Sequence, residues 1–314
     1  MKKDFKAIRK NLRMNIIEFL YGRRLSFPPE LKNAYKISEA ITNIEQRWQL
    51  PSKEDNQIPI FIFSAGWRSG STLLQRLVFS SGEITIWGEP LGDAAFVARL
   101  AHCLGFITIN WPPETFFMRN AMNTDIANQW IANLAPPISY LKKAHKAFFL
   151  QWFQIPAQEQ FNTSRWGIKE VRLTIDHARY LKWLFPDARF LFIFRNPYDA
   201  FRSWKGNRWR SPWPGYYPYS ALAFARHWDL LLQGYIAGCK DVDGMLVKFE
   251  DLISGKLNLN KIANHIKVKS IDSSVLNKKI ASPAKTTSKP PISLLDKIII
   301  TAICRSLMLQ VGYL

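Results

Sequence analysis

The chain has 314 residues, enough for one large domain with a full core. Its 47% hydrophobic and 21% charged residues exclude a wholly disordered protein, and no internal period marks a repeat array. Forty-three Lys and Arg against 24 Asp and Glu give a net charge of +19, which points to an anionic partner: nucleic acid, anionic lipid, a polyanionic sugar or a phosphorylated cofactor.

Residues 1–57 read as a basic helical extension. Phe5, Ile8, Leu12, Ile16 and Leu20 recur at three and four residues opposite Lys2, Lys3, Lys6, Arg9, Lys10 and Arg13. Residues 1–24 hold eight basic and two acidic side chains with no apolar run of signal-peptide or membrane-spanning length. That pattern suits either a helix docked on the core with a solvated basic face or peripheral contact with an anionic membrane. A second helix is expected over residues 37–48, followed by a polar linker.

The most informative stretch is Ile60-Phe61-Ile62-Phe63-Ser64-Ala65-Gly66-Trp67-Arg68-Ser69-Gly70-Ser71-Thr72-Leu73-Leu74. An apolar run, small residues around one arginine, and apolar positions at 73, 74, 77 and 78 predict a buried strand, a tight loop and a helix. Gly66 and Gly70 let backbone approach an anion, the helix start offers free N–H groups, and Arg68 adds a full charge. Without a ligand the same pattern is a plain strand-helix turn. Ser71 stands where a nucleotide triphosphatase loop places lysine, and no magnesium site accompanies it.

Residues 83–87 read as a second strand, ending in the Gly88-Glu89-Pro90 turn. An insertion at about 94–165, helical and aromatic, follows. The third strand is expected over 165–172, with Lys169 and Glu170 as a charged pair in its middle that needs a reason for burial. A helix over about 174–185 leads to a fourth strand at 188–194. Alternating strands and helices predict an α/β fold with a mainly parallel central sheet flanked by helices on both faces.

Arg195-Asn196-Pro197 places an arginine at the end of the fourth strand, before a helix that Asn196-Pro197 opens. In an open parallel sheet, that edge is where ligands bind. Residues 204–220 are dense in Trp, Tyr, Lys and Arg and suit a lid over a ring-bearing or anionic acceptor, or a rigid surface loop. A helix from 221 to about 238 and a fifth strand through Phe249 follow, then a Lys- and Ser-rich stretch and an apolar terminal helix from about 294. Cys103, Cys239 and Cys304 are far apart, without a Cys-x-x-Cys pattern, so neither disulfides nor a metal site is indicated and a cytoplasmic location fits.

Arg68-Ser69-Gly70-Ser71-Thr72-Leu73 resembles the 5′-phosphosulfate loop of sulfotransferases that use 3′-phosphoadenosine 5′-phosphosulfate (PAPS), most closely the carbohydrate and protein-tyrosine branches. Arg195 and Ser203, eight residues apart, resemble the family's 3′-phosphate grip, and Phe249-Glu250-Asp251-Leu252 its segment beside the adenine. The resemblance implies a three-layer P-loop-like fold over 58–314 and a cofactor site of Arg68 to Leu73, Arg195, Ser203 and Phe249. Lys285 or Lys289 would complete the 3′-phosphate site. It also implies transfer of a sulfuryl group to a hydroxyl, of a saccharide or glycolipid rather than a phenol, with no nucleic-acid partner.

Such a transfer requires a base for the acceptor proton. Glu89, fixed in its turn 21 residues after Arg68 as in the tyrosine branch, is the first choice. Lys169 would reach the sulfonate or the acceptor, and Glu170 would orient Lys169 or replace Glu89. The five histidines all fall outside the motifs. The rival readings are a small-molecule kinase on the same loop and a non-catalytic basic protein that binds nucleic acid or glycan.

Overall fold

In the computed structural model, residues 9, 12–17, 19–20, 33–48, 50, 57–117, 132–205, 220–278 and 291–314 are described. The strand that leads into the loop is Ile60–Ser64 (β1), buried along its whole length. Its side chains alternate between two cores, Ile60 and Ile62 facing aliphatic residues and Phe61 and Phe63 facing aromatic ones, as the period of two requires. Ile84–Trp87 (β2), Arg165–Glu170 (β3), Arg189–Phe194 (β4) and Gly244–Lys248 (β5) join it in a parallel sheet of order β2-β3-β1-β4-β5. The β1–β3 pairing sets Ile60 opposite Gly167, where a Cβ would lie 1.9 Å from the Ile60 carbonyl oxygen. Only glycine permits so close a crossing.

The helices are Tyr35–Arg47 (α1), Ser71–Phe79 (α2), Phe96–His102 (α3), Ile138–Phe149 (α4), Ile155–Phe161 (α5), Ile175–Leu184 (α6), Pro197–Lys205 (α7), Ala221–Gly238 (α8), Phe249–Ser254 (α9), Leu259–Ile266 (α10) and Leu294–Gln310 (α11). Leu74, Leu77 and Val78 of α2, Leu252 of α9 and Ile262 and Ile266 of α10 cover the aliphatic face of the sheet. Helices α1, α6, α8 and α11 cover the aromatic face, where Phe192 stacks on Tyr235 at 4.5 Å. This is the α/β fold with a parallel sheet between helices that the alternation of elements predicts, and the three-layer P-loop-like arrangement that the resemblance implies. Because the pairings are all parallel, the C-terminal ends of the five strands open on one edge. That edge carries the loop after β1, Glu89 after β2, Glu170 at the end of β3, Arg195 after β4 and Phe249 after β5.

Two expectations change. β3 stops at Glu170 rather than 172, so Lys169 and Glu170 sit at its C-terminal end and not mid-strand. The register explains it: pairing with β1 ends at Phe63 opposite Glu170, just before β1 turns into the loop. In the N-terminal extension, the apolar stripe is not the docking face. Leu12, Ile16 and Leu20 are 46%, 47% and 63% exposed, whereas Asn15 is 5% exposed and its Oδ1 accepts a hydrogen bond from the Leu222 amide. The aromatic stretch at 206–219, Lys285 and Lys289 lie outside the described residues. All three cysteines are free. Among the described residues, no helix is long and apolar enough to cross a membrane.

Candidate active site

After β1 the chain closes a tight loop. The Ser64 hydroxyl donates to the Gly66 carbonyl at 2.7 Å, and the Ser69 hydroxyl to the Ala65 carbonyl at 3.2 Å. Arg68 takes φ +64° between Gly66 at +84° and Gly70 at +93°. A left-handed conformation costs a non-glycine residue roughly 1 kcal/mol, a strain typical of binding loops. Gly70 is required twice over, because a Cβ there would also meet the Phe249 ring at 2.2 Å. It heads α2, whose first amides have no intrahelical partner and carry the positive end of the helix dipole.

Two arginines converge on this loop from elements far apart in sequence. The Arg195 Nη1 donates to the Arg68 carbonyl at 3.3 Å, and its guanidinium lies 4.5 Å from the centre of the Phe249 ring. The Arg68 Nε donates to the Ser203 hydroxyl on α7 at 3.1 Å. Burial, and then the Arg195 charge, hold the Arg68 guanidinium below its ordinary pKa, although it remains a cation. Among the described residues neither arginine is ion-paired, and the buried Arg195 Nε has no hydrogen-bond partner. Two like charges brought together without a carboxylate form a site that an anion completes. A nucleotide with phosphates at two places fits this donor set. Arg68, Arg195, Ser203 and Phe249 thus meet as the sequence expects.

Beside the loop lies a second charged group. The Glu89 carboxylate accepts from the Lys169 Nζ at 2.6 Å with one oxygen and from the Arg172 Nη2 at 2.9 Å with the other. The Arg172 Nη1 donates to the Gly92 carbonyl at 3.1 Å, and its Nε lies 3.3 Å from Glu170. Lys169 therefore pairs with Glu89 and not with Glu170, since neighbours on a strand point to opposite faces. Arg172, which the sequence gives no motif to single out, is the residue that joins the two carboxylates. Burial lifts the Glu170 carboxyl to about 7, with Glu89 adding to the rise and Arg172, Lys169 and the Val171 amide opposing it.

His227 is another residue that sequence reasoning missed. It comes from α8 to stack on Trp67 at a ring distance of 4.9 Å, and lies 3.5 Å from where a Cβ on Gly66 would be. Burial drives its pKa down to about 3, against a hydrogen bond to the Val171 backbone. Trp204 packs on Trp67 as well, at 5.4 Å, whereas the Lys205 ammonium is held 2.8 Å from the buried Asp296 and so faces α11.

A third group sits under the Arg195 end. Glu250 accepts from the Asn196 amide at 3.0 Å with one oxygen and from the Tyr313 hydroxyl at 2.6 Å with the other. The C-terminal residues are thereby tied to the start of α7. The signal in the sequence is faint: only the acid after Phe249 marks the spot.

A parallel sheet whose central strand ends in a glycine-bounded loop before a helix, with a second arginine, not ion-paired among the described residues, at the end of the neighbouring strand, has the architecture of an α/β phosphate-loop protein. The profile of the Sulfotransferase family matches residues 59–269, and the chain belongs to that family. Solved structures with similarity to it include the sulfotransferase domain of the Synechococcus PCC 7002 olefin synthase (20% identity, 81% of this chain and 97% of that one, TM-score 0.42). Others are sulfotransferase STF9 from Mycobacterium avium (11%, 91% and 87%, 0.41) and the sulfotransferase domain of the curacin biosynthetic pathway (14%, 80% and 98%, 0.37). Comparison with curated proteins finds no match. Sulfotransferases act on hydroxyl-bearing acceptors, and the family generally takes the sulfuryl group from PAPS.

Proposed function

We propose that this protein is a cytoplasmic PAPS-dependent sulfotransferase acting on a hydroxyl of a saccharide or glycolipid, with Glu89 as general base. The observation that carries the reading is the convergence of Arg68 and Arg195 with no carboxylate paired to either among the described residues. When bound, PAPS supplies the sulfuryl group and a phosphate leaving group. Arg68, the amides of Ser69 to Thr72 and the hydroxyls of Ser71 and Thr72 hold the 5′ end and stabilise charge there, whereas the Leu73 amide already donates to the Gly70 carbonyl at 2.9 Å. Arg195 and Ser203 hold the 3′-phosphate, and Phe249 offers its ring to the adenine.

Glu89 accepts the acceptor's proton on a carboxylate oxygen, with Lys169 and Arg172 fixing its direction. Lys169 stands at the junction of donor and acceptor, and Glu170 positions Arg172 and is the alternative base. We assign residues 58–314 to the catalytic domain, the 94–165 insertion to the acceptor wall, and 1–57 to an extension. Peripheral contact of residues 1–24 with a membrane would bring the enzyme to a glycolipid acceptor.

Titration calorimetry tests the donor. Binding of adenosine 3′,5′-bisphosphate below about 1 mM without magnesium supports the reading. Preference for ATP with magnesium would favour a kinase, and binding of neither nucleotide would favour a basic nucleic-acid or glycan binder. Transfer of label from radiolabelled PAPS to fractionated saccharides and glycolipids tests the acceptor.

A further inference from the structure

A surface helix normally buries its apolar side and gives its polar side to water. Residues 12–17 of this chain depart from that: Met14 and Ile17 are only half-buried, and the innermost side chain is polar. Asn15 is the inward residue, 5% exposed, with its side-chain oxygen on the Leu222 amide in the first turn of α8. Leu12 and Ile16 are nearly half exposed, and Phe19 and Leu20, which continue the same side, are 73% and 63% exposed. Arg9 and Arg13 are exposed with them. A polar anchor thus holds the segment on the core while four large apolar side chains and two cations share its outward surface.

We infer that this surface is a docking site for an anionic lipid bilayer, into whose headgroup boundary Leu12, Ile16, Phe19 and Leu20 insert. Charge complementarity selects the occupant. Arg9 and Arg13 are exposed alongside the apolar side chains, and residues 1–24 hold eight basic and two acidic side chains in all, a charge that a negative lipid surface attracts. A second copy is disfavoured by the same charges, because each chain carries +19 and the apposed segments would both be basic. The anchor is suited to this use: a hydrogen-bonded asparagine fixes the helix without withdrawing its apolar side chains from the surface. The inference gives residues to the membrane contact proposed above, and it stands on an observation separate from the donor site.

The test uses the full chain with Cys103→Ser and Ile16→Cys, leaving Cys239 and Cys304 buried, and an environment-sensitive fluorophore on the introduced thiol. With vesicles of phosphatidylcholine and phosphatidylglycerol, the emission shifts to the blue and is quenched by lipids carrying a nitroxide on the acyl chain. Phosphatidylcholine vesicles leave the emission unchanged. Leu12→Glu with Phe19→Glu lowers partitioning of the otherwise native chain onto the anionic vesicles by about tenfold or more, while its affinity for adenosine 3′,5′-bisphosphate is unchanged. Emission that ignores anionic vesicles overturns the inference, even if the protein sediments with them. So does a blue shift that grows with protein concentration in their absence, which would make a second copy the occupant. Neither result depends on sulfuryl transfer, so loss of the donor reading and loss of this one are distinguishable.

Discussion

Replacing Glu89 by glutamine separates the base from the scaffold it belongs to. The substitution keeps the shape of the side chain but removes the charge that accepts from Lys169 at 2.6 Å and from Arg172 at 2.9 Å. Those partners are 7% and 5% exposed and Glu89 is 30% exposed, so the loss lies between a surface pair and a buried one. Breaking a buried pair costs about 3–5 kcal/mol and an exposed one about 0–1 kcal/mol, which places this change at about 2–3 kcal/mol. In a chain of 314 residues that lowers Tm by about 3–5 °C, which differential scanning calorimetry resolves.

The effect on turnover is expected to be larger. Loss of a general base lowers kcat by about 10²–10⁴-fold, whereas adenosine 3′,5′-bisphosphate affinity changes less than about threefold because neither guanidinium of the donor site touches Glu89. The assay is single-turnover transfer from radiolabelled PAPS, with nucleotide affinity measured on the same preparation. Normal turnover at lowered Tm would refute the base assignment and move it to Glu170.

Three further changes probe other parts of the site. Arg195→Ala is expected to weaken adenosine 3′,5′-bisphosphate binding by about 10–100-fold and binding of the nucleotide lacking the 3′-phosphate much less, a charge-assisted contact being worth about 1.5–3 kcal/mol; equal losses in calorimetry would show that Arg195 does not read the 3′ end. Tyr313→Phe removes a hydrogen bond to Glu250, which holds the Asn196 amide next to Arg195; bisphosphate affinity should fall about threefold to tenfold, and unchanged affinity at lowered Tm would make the contact structural only. Burial pushes His227 to about 3 and His177 to about 4 from 6.5, and lifts Glu170 to about 7 from 4.5. Between about pH 4.5 and 6.5 unfolding therefore takes up protons at two histidines and releases one at the glutamate. Stability from these groups rises with pH over that window and falls from 6.5 toward 7. His227→Gln should remove about 1.4 kcal/mol per pH unit from the rise in urea unfolding, and an unchanged slope would mean that His227 is charged in the fold.

What could be read from the sequence was local. The loop is legible because a strand, a turn and a helix start must follow one another without interruption, and the two glycines mark the turn within six residues. Arg195 and Ser203 are legible for the same reason, since a strand end and a helix fix their relation. Arg172 was not, because its role depends on where β3 stops, and that is set by the β1 strand turning into the loop more than a hundred residues earlier. His227 reaches Trp67 only through the packing of α8 on the sheet. The N-terminal helix shows the limit most plainly: its period told which residues share a side, but burial of Asn15, hydrogen-bonded to the Leu222 amide, shows which side faces the core.

The two charged groups along the edge differ in a way that bears on the reaction. Glu89, Glu170, Lys169 and Arg172 are two carboxyls and two cations, interlocked within the fold itself. Arg68 and Arg195 carry no such compensation among the described residues. Two cations held together at a partly exposed site repel each other until an anion arrives, so on the proposed reading much of the donor's binding energy is electrostatic and is expected to fall as salt is added. The interlocked group already supplies carboxyls to its own cations, so on the proposed reading a neutral hydroxyl entering beside Glu89 leaves those pairings undisturbed until the proton moves. On the proposed reading, a charged donor at one end and a neutral acceptor at the other suit these strand ends. A salt titration distinguishes them, since KM for the donor should rise with ionic strength while KM for a neutral saccharide acceptor stays flat, and parallel rises would contradict the division.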